Sequence, residues 1–293
     1  MPCSDPAVNR VKLSLARFCE LTGLNSLSFA GLKALAGCHI RAINYHDVPA
    51  SKNGAFERQL RYYARHYVPV DYAGLTAFLD GTWSAPKPGL IISFDDGLRS
   101  HAEVAAPLLE HYGFTGWFFV PLGFVETPAA EQAEYARSHQ IQYFDEFPDG
   151  RVAMSLEEVR RLARRHVVGC HTHSHCRLRA DVPPDALRHE IAGAKHYLEH
   201  MLEGEVPVFC WVGGEEGSYS RAAAQLIHRS GFRHSFMTNS TIILPGSDPL
   251  QLQRTNIEVH YPLSLVRFQL SGFLDLLYTG KRRRVNRLTA IAP

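Results

Sequence analysis

Two short clusters hold the residues best suited to chemistry: Asp95-Asp96, and the run His171-Thr172-His173-Ser174-His175. Adjacent carboxylates aimed at one site repel when both are ionised. A bound cation removes that conflict and lets each take a separate task. Gly97 follows directly and permits a tight turn. Alone, Asp-Asp-Gly reads as an ordinary solvated turn, and only its context argues otherwise. The histidine run is the stronger signal. A spacing of four puts His171 and His175 on one side of a helical turn, with His173 pointing elsewhere. With one carboxylate they form a two-histidine, one-carboxylate set with coordination positions to spare. Imidazole and carboxylate suit Zn²⁺ or a similar divalent ion, and three protein ligands leave room for a water, the catalytic pattern. Non-haem iron oxygenases use the same donor set, but that chemistry gives Asp95 no task. Cys170 and Cys176, flanking the run, read as small packing residues.

Both clusters follow short apolar runs. Residues 90–94, after Pro-Lys-Pro-Gly, read as a buried parallel strand ending at Asp95, and residues 167–170 as another ending at His171. His46 follows a strand over 40–45 in the same way. Further β-rich runs at 67–70, 116–120, 206–211, 233–237 and 250–254 alternate with helical patterns at 55–66, 72–79, 98–112, 184–202, 221–230 and 263–278. Ser155, with Glu158 three residues on, makes a capping-box start for a helix through residue 165. This alternation predicts an α/β fold with parallel strands and outer helices, closed into an irregular barrel rather than left as an open sheet. In barrels the loops after the strand C-termini converge on one face, so three strand ends bearing ligand-type residues predict one site. The polar segment 126–153 is expected to be a loop bordering that face.

Composition narrows the setting. The chain is 45% apolar and 20% charged, with 31 Lys and Arg against 29 Asp and Glu, so no strong field favours nucleic acid. Six cysteines, Cys3, Cys19, Cys38, Cys170, Cys176 and Cys210, form no CxxC pair, which fits a reduced, cytoplasmic context. Residues 1–5 hold no basic leader, and the apolar stretch 13–35 is broken by Arg17, Glu20, Asn25 and Lys33, so neither signal peptide nor membrane span is expected. Residues 8–36 read as one or two amphipathic helices packed on the body, with membrane contact as the alternative. Lys281-Arg282-Arg283-Arg284 reads as a solvated tail, the alternative being contact with the anionic inner face of a membrane or a phosphorylated glycan carrier. The expected organisation is a helical extension over 1–38, a barrel over 39–280 and a basic tail over 281–293.

Ser93-Phe94-Asp95-Asp96-Gly97, taken together with His171-Thr172-His173-Ser174-His175, resembles the polysaccharide deacetylases (carbohydrate esterase family 4), across roughly residues 41–239. The resemblance implies a distorted, incomplete (β/α) barrel. It also implies Asp95 as general base, with Asp96, His171 and His175 holding a divalent metal, Zn²⁺ foremost. Asn44-Tyr45-His46-Asp47-Val48 is similar to the Tyr-His-x-Val opening of members whose barrel is circularly permuted, which implies His46 as general acid, with His260 as competitor. The family's third motif, Phe-[Arg/Ala]-x-Pro-[Tyr/Phe]-Gly, supplies an oxyanion donor and orients the base. Here it corresponds to Phe209-Cys210-Trp211-Val212-Gly213-Gly214, where only Phe209 and Gly214 match, and Glu215 and Glu216 follow. Gly213 can still present a backbone N–H to an oxyanion. Trp211 is either a sugar platform or a core residue, and Arg254 either orients a carboxylate or meets the sugar. The implied activity is deacetylation of an N-acetylated amino sugar in a polysaccharide or glycan precursor, on a lipid or nucleotide carrier. The alternative is a catalytically degenerate member that binds a glycan or a biosynthetic partner.

Overall fold

Short apolar strands separated by helices can only pair in parallel, and every strand of the computed structural model does so. The structure describes residues 6–291. Residues 1–5, with Cys3 and the stretch expected to hold no basic leader, lie outside the described residues. The strands are β1 (Ile40–Tyr45), β2 (Val68–Pro69), β3 (Gly89–Phe94), β4 (Gly116–Val120), β5 (Val167–Cys170), β6 (Val208–Cys210), β7 (His234–Met237) and β8 (Leu252–Asn256). β1 pairs with β8 on one edge and β3 on the other, which closes a seven-stranded barrel in the order β1-β8-β7-β6-β5-β4-β3. The eighth strand, β2, adds outside the ring beside Gly89 and Leu90. The expected distorted (β/α) barrel is therefore the observed fold.

Helices surround this cylinder: α1 (Pro6–Leu21), α2 (Leu24–Ala36), α3 (Asn53–His66), α4 (Tyr72–Leu79), α5 (Ala106–His111), α6 (Leu122–Glu126), α7 (Ala129–Ser138), α8 (Leu156–Ala163), α9 (Pro184–Arg188), α10 (Ala194–Leu202), α11 (Arg221–Arg229), α12 (Leu263–Leu270), α13 (Phe273–Leu277) and α14 (Thr279–Thr289). α8 begins with the capping box foreseen at Ser155 and Glu158. Three expectations need correction. The helix expected over 263–278 is two, because Gly272 adopts φ 94° and breaks it between α12 and α13. The loop expected over 126–153 contains α7. The basic run at 281–284, expected as a solvated tail, is part of α14, which also buries Val285.

Strand parity decides what fills the barrel. Alternate residues Ala42, Ile91, Trp117, Val208, Phe236 and Leu252 belong to one buried cluster, and Trp117 of β4 meets Phe236 of β7 across the interior at 5.6 Å between ring centroids. The opposite parity (Ile43, Ile92, Phe118, Phe209) packs outward with the helices. Among the described residues Cys19, Cys38, Cys170, Cys176 and Cys210 are free thiols, and no helix is long and apolar enough to cross a membrane.

Candidate active site

The inward parity that is apolar low in the barrel turns polar at the strand C-termini. Ala42 is followed by Asn44, Ile91 by Ser93 and Asp95, Val167 by Gly169 and His171, and Leu252 by Arg254 and Asn256. Five of these meet directly. Arg254 donates to both oxygens of Asp95, Nη1 to Oδ1 at 2.6 Å and Nη2 to Oδ2 at 2.8 Å, and to Ser93 Oγ at 2.9 Å. Asn44 Nδ2 lies 3.4 Å from Asp95 Oδ2 and donates to Asn256 Oδ1 at 2.8 Å. Burial alone would raise the Asp95 carboxyl. The charge of Arg254 instead holds it below the usual carboxylate range. Asp95 is thus an ionised, oriented carboxylate. Of the two tasks open to Arg254, its full burial and bidentate geometry fit orienting the carboxylate.

Asp96 has the wrong parity to face inward on a continuing strand. It does so because the chain turns: Asp96 takes φ 78° and Gly97 φ 65°. Thr172 (φ 65°) and His175 (φ 57°) are left-handed as well. Non-glycine residues adopt this region at about 1–2 kcal/mol each. Three of the six that do so among the described residues therefore concentrate strain at one spot, a pattern typical of functional sites. It also corrects the expected helical turn, because residues 171–175 form no helix. Two left-handed residues, rather than a 3.6-residue repeat, bring the two outer imidazoles together.

His171 Nε2 and His175 Nε2 stand 3.5 Å and 3.0 Å from Asp96 Oδ1. Each imidazole gives its Nδ1–H to a backbone carbonyl, His171 to Cys210 O at 2.9 Å and His175 to His139 O at 2.7 Å. A carbonyl can only accept, so Nδ1 carries the ring proton and a neutral ring turns its Nε2 lone pair to the carboxylate. Asp96 Oδ1 is buried without a hydrogen-bond partner. With both rings neutral, three acceptors converge with no proton between them, which a cation would relieve, so Asp96, His171 and His175 fit a divalent metal. A second triple, Asp95, His171 and Cys210, is equally close-set. It fits a metal less well: Arg254 already holds both Asp95 oxygens, and burial pushes the Cys210 thiol well above its usual range, so it stays protonated.

His46 stands just beyond β1 and donates Nδ1–H to Glu258 Oε1 at 2.9 Å, while Asn256 Nδ2 holds the same oxygen at 3.2 Å. Burial disfavours the imidazolium, but Glu258 outweighs it and raises the pKa to about 9. A one-turn π-helical segment, His101–Ala105, sets His101 so that its Nε2–H meets the His46 carbonyl at 2.6 Å. The competitor His260 lies exposed on the rim of the same cleft. Glu258 is the residue that sequence reasoning missed, although the parity running from Arg254 through Asn256 points to it. The carbonyl of His139 was hidden too, within the segment expected to be a mere loop.

The third motif is reorganised. Cys210 occupies the arginine position with Sγ 3.9 Å from Asp95 Oδ1, and the guanidinium arrives from β8 as Arg254. Gly213, at φ 79°, lines the cleft where a Cβ would come within 2.8 Å of Ser218 Oγ and 2.9 Å of Glu215 Oε2. Glu215 and Glu216, beside the motif, each face a cation. Glu215 accepts from Gly214 N–H and Ser218 Oγ beside Arg177, which lower its pKa to about 2, and Glu216 pairs with Arg284. Trp211 borders the cleft with its ring 1% exposed, its indole N–H committed to Ser235 Oγ at 2.9 Å. The cleft, about 1080 Å³, is walled on one side by Ile141, Tyr143 and Phe144 of the 126–153 segment.

The polysaccharide deacetylase family profile matches residues 84–234, just over half of the chain. A comparison with curated protein sequences finds no match. Among solved structures, the chain is similar to the Streptococcus pyogenes deacetylase PplD in complex with acetate, at TM-score 0.63 and 18% identity over 79% of this chain and 98% of that one. It is also similar to the BpsB deacetylase domain from Bordetella bronchiseptica (TM-score 0.60, 15% identity, 76% and 97% covered). IcaB from Ammonifex degensii gives TM-score 0.60 at 20% identity, with 80% and 96% covered. At such identities these likenesses speak for the fold. His46, Arg254 and Glu258 fall outside the matched segment, so their part rests on geometry alone.

Proposed function

The chain belongs to the polysaccharide deacetylase family, and from that premise we propose that it is a metal-dependent hydrolase removing the N-acetyl group of an amino sugar in a polysaccharide or glycan precursor. One observation carries the reading: two Nε2 lone pairs and the partnerless Asp96 Oδ1 converge beside a carboxylate held ionised by Arg254. A divalent cation, Zn²⁺ by its donor set, would be held by Asp96, His171 and His175. When bound it lowers the pKa of water and polarises an acetamide carbonyl. Asp95 takes the proton of the attacking water, and its orientation is fixed by two guanidinium bonds. The backbone N–H of Gly213 faces the oxyanion. His46, kept protonated by Glu258, gives its proton to the departing amine, so that amide and water become acetate and free amine. On this reading His46 does from the first strand what the permuted members' opening motif implies.

The degenerate-member alternative draws on the altered third motif as a whole; the bidentate grip of Arg254 on Asp95 favours the catalytic reading. Acetate release from N-acetylated oligosaccharides, followed with and without a chelator, tests the proposal. Asp95→Asn is expected to retain metal and to lose roughly 10²- to 10⁴-fold in kcat/KM, the usual worth of a general base. Wild-type rates from that variant, or metal bound with no acetate released from any such glycan, would overturn it.

A further inference from the structure

α1 is apolar on two opposite sides. Its inner stripe, Leu13, Ala16 and Cys19, packs with Leu265, Phe268 and Leu274 of α12 and α13. Its outer stripe, Val11, Leu15 and Phe18, repeats at i, i+4 and i+7, and these side chains are 67%, 46% and 57% exposed. α2 adds Leu27 and Leu35, and α13 turns Leu276 and Leu277 outward. Nine of the fourteen large apolar side chains exposed among the described residues fall on these three helices. Scattered exposed leucines need no explanation, but such a concentration marks an interaction surface.

The charges beside it specify the partner. From residue 11 to 36 the only acid is Glu20, and it is taken by Arg267. Lys12, Arg17 and Lys33 form no ion pair among the described residues, nor do Arg283 and Arg287 of α14. On the helical wheel Arg17 lies beside the outer face of α1, next to the exposed Leu21. Leucine and phenylalanine flanked by unpaired cations is the pattern of helices that lie in the headgroup layer of an anionic membrane. The face is also firmly based. Arg41 of β1 grips both oxygens of Asp275 in α13, at 2.8 and 2.9 Å, and Ser28 of α2 bonds Ser271 O at 2.8 Å. Lys12 also lines the cleft, so this face adjoins its mouth.

We propose that the outer faces of α1, α2 and α13 dock on an anionic lipid surface, with Leu15, Phe18, Leu276 and Leu277 entering the acyl boundary and Arg17 and Lys33 meeting lipid phosphates. The docked protein presents its cleft at the membrane plane, where a glycan borne by the membrane can reach it.

Co-flotation of the full chain with vesicles tests this without depending on the activity. Vesicles of phosphatidylcholine with phosphatidylglycerol should carry the protein, and phosphatidylcholine alone should carry at least roughly tenfold less. The variant L15S/F18S/L276S/L277S should lose vesicle binding about tenfold or more. The milder R17Q/K33Q, which alters only exposed side chains and so keeps the fold, should lose the preference for phosphatidylglycerol. Wild-type protein that stays unbound to both vesicles would overturn the proposal. So would both variants floating as wild type does, or wild type that dimerises through this face, loses the dimer in the leucine variant and never floats. Acetate release from a soluble oligosaccharide, measured in parallel, reports separately on the deacetylase reading.

Discussion

Asp95 is a buried charge, and Arg254 is what makes it tolerable. Removing one partner of such a pair strands the other, at a cost of about 3–5 kcal/mol. Arg254→Gln is therefore expected to lower the unfolding free energy by about that much, as read by denaturant titration. Activity adds a second signature. Without the guanidinium, burial raises the Asp95 pKa, so the acidic limb of the kcat/KM profile moves to higher pH. His46 predicts the opposite limb. As the acid it must be protonated, so activity falls as pH rises through its pKa of about 9. Glu258 is what holds that value up against burial. Glu258→Gln is expected to move the alkaline limb toward lower pH and leave metal content unchanged, checked by a pH–rate series with metal analysis. An unmoved limb would remove His46 from the proton path.

At the scale of elements, the site depends on how closely β5 lies between β4 and β6. A Cβ at Gly169 would come within 2.6 Å of the Phe119 ring and 3.0 Å of Val208 O. Gly169→Ala is expected to cost about 1–3 kcal/mol through overpacking. Because His171 stands two residues on, it should weaken metal binding as well, measured by competition with a chromogenic chelator. A loss of stability with unchanged metal affinity would show that His171 is placed by its bond to Cys210 O rather than by β5. The strands were legible in the sequence because short continuous apolar runs alternating with helical patterns are what buried parallel strands require. The 171–175 segment was misread for a physical reason. A spacing of four suggests a helical face, yet the same convergence comes from left-handed Thr172 and His175, which no residue type announces.

For the molecule as a whole, a metal held by Asp96 and the two histidines would tie β3 to β5. Through the carbonyls of Cys210 and His139 it would also tie in β6 and the 126–153 segment. Binding to the folded state alone raises stability by about 2.7 kcal/mol at a hundredfold excess over Kd. The apo protein is accordingly expected to melt several degrees lower than protein loaded with Zn²⁺, by calorimetry, and His175→Ala should abolish the difference. An equal rise in that variant would place the stabilising ion elsewhere.

The sequence by itself determined the parallel barrel and the identity of its reactive groups. Alternation fixes which residues face inward, and Asp95, Asp96, His171 and His175 are the donor types that hydrolytic metal chemistry needs. Their partners belonged to the tertiary structure. Glu258 and Arg254 reach His46 and Asp95 across more than 150 residues of chain, and only closure of β8 onto β1, itself paired with β3, brings them within bonding distance. The deacetylase motif looked broken at Cys210 for the same reason. A guanidinium has no memory of the strand that delivers it, and in a closed barrel β8 reaches the same carboxylate that β6 would have served.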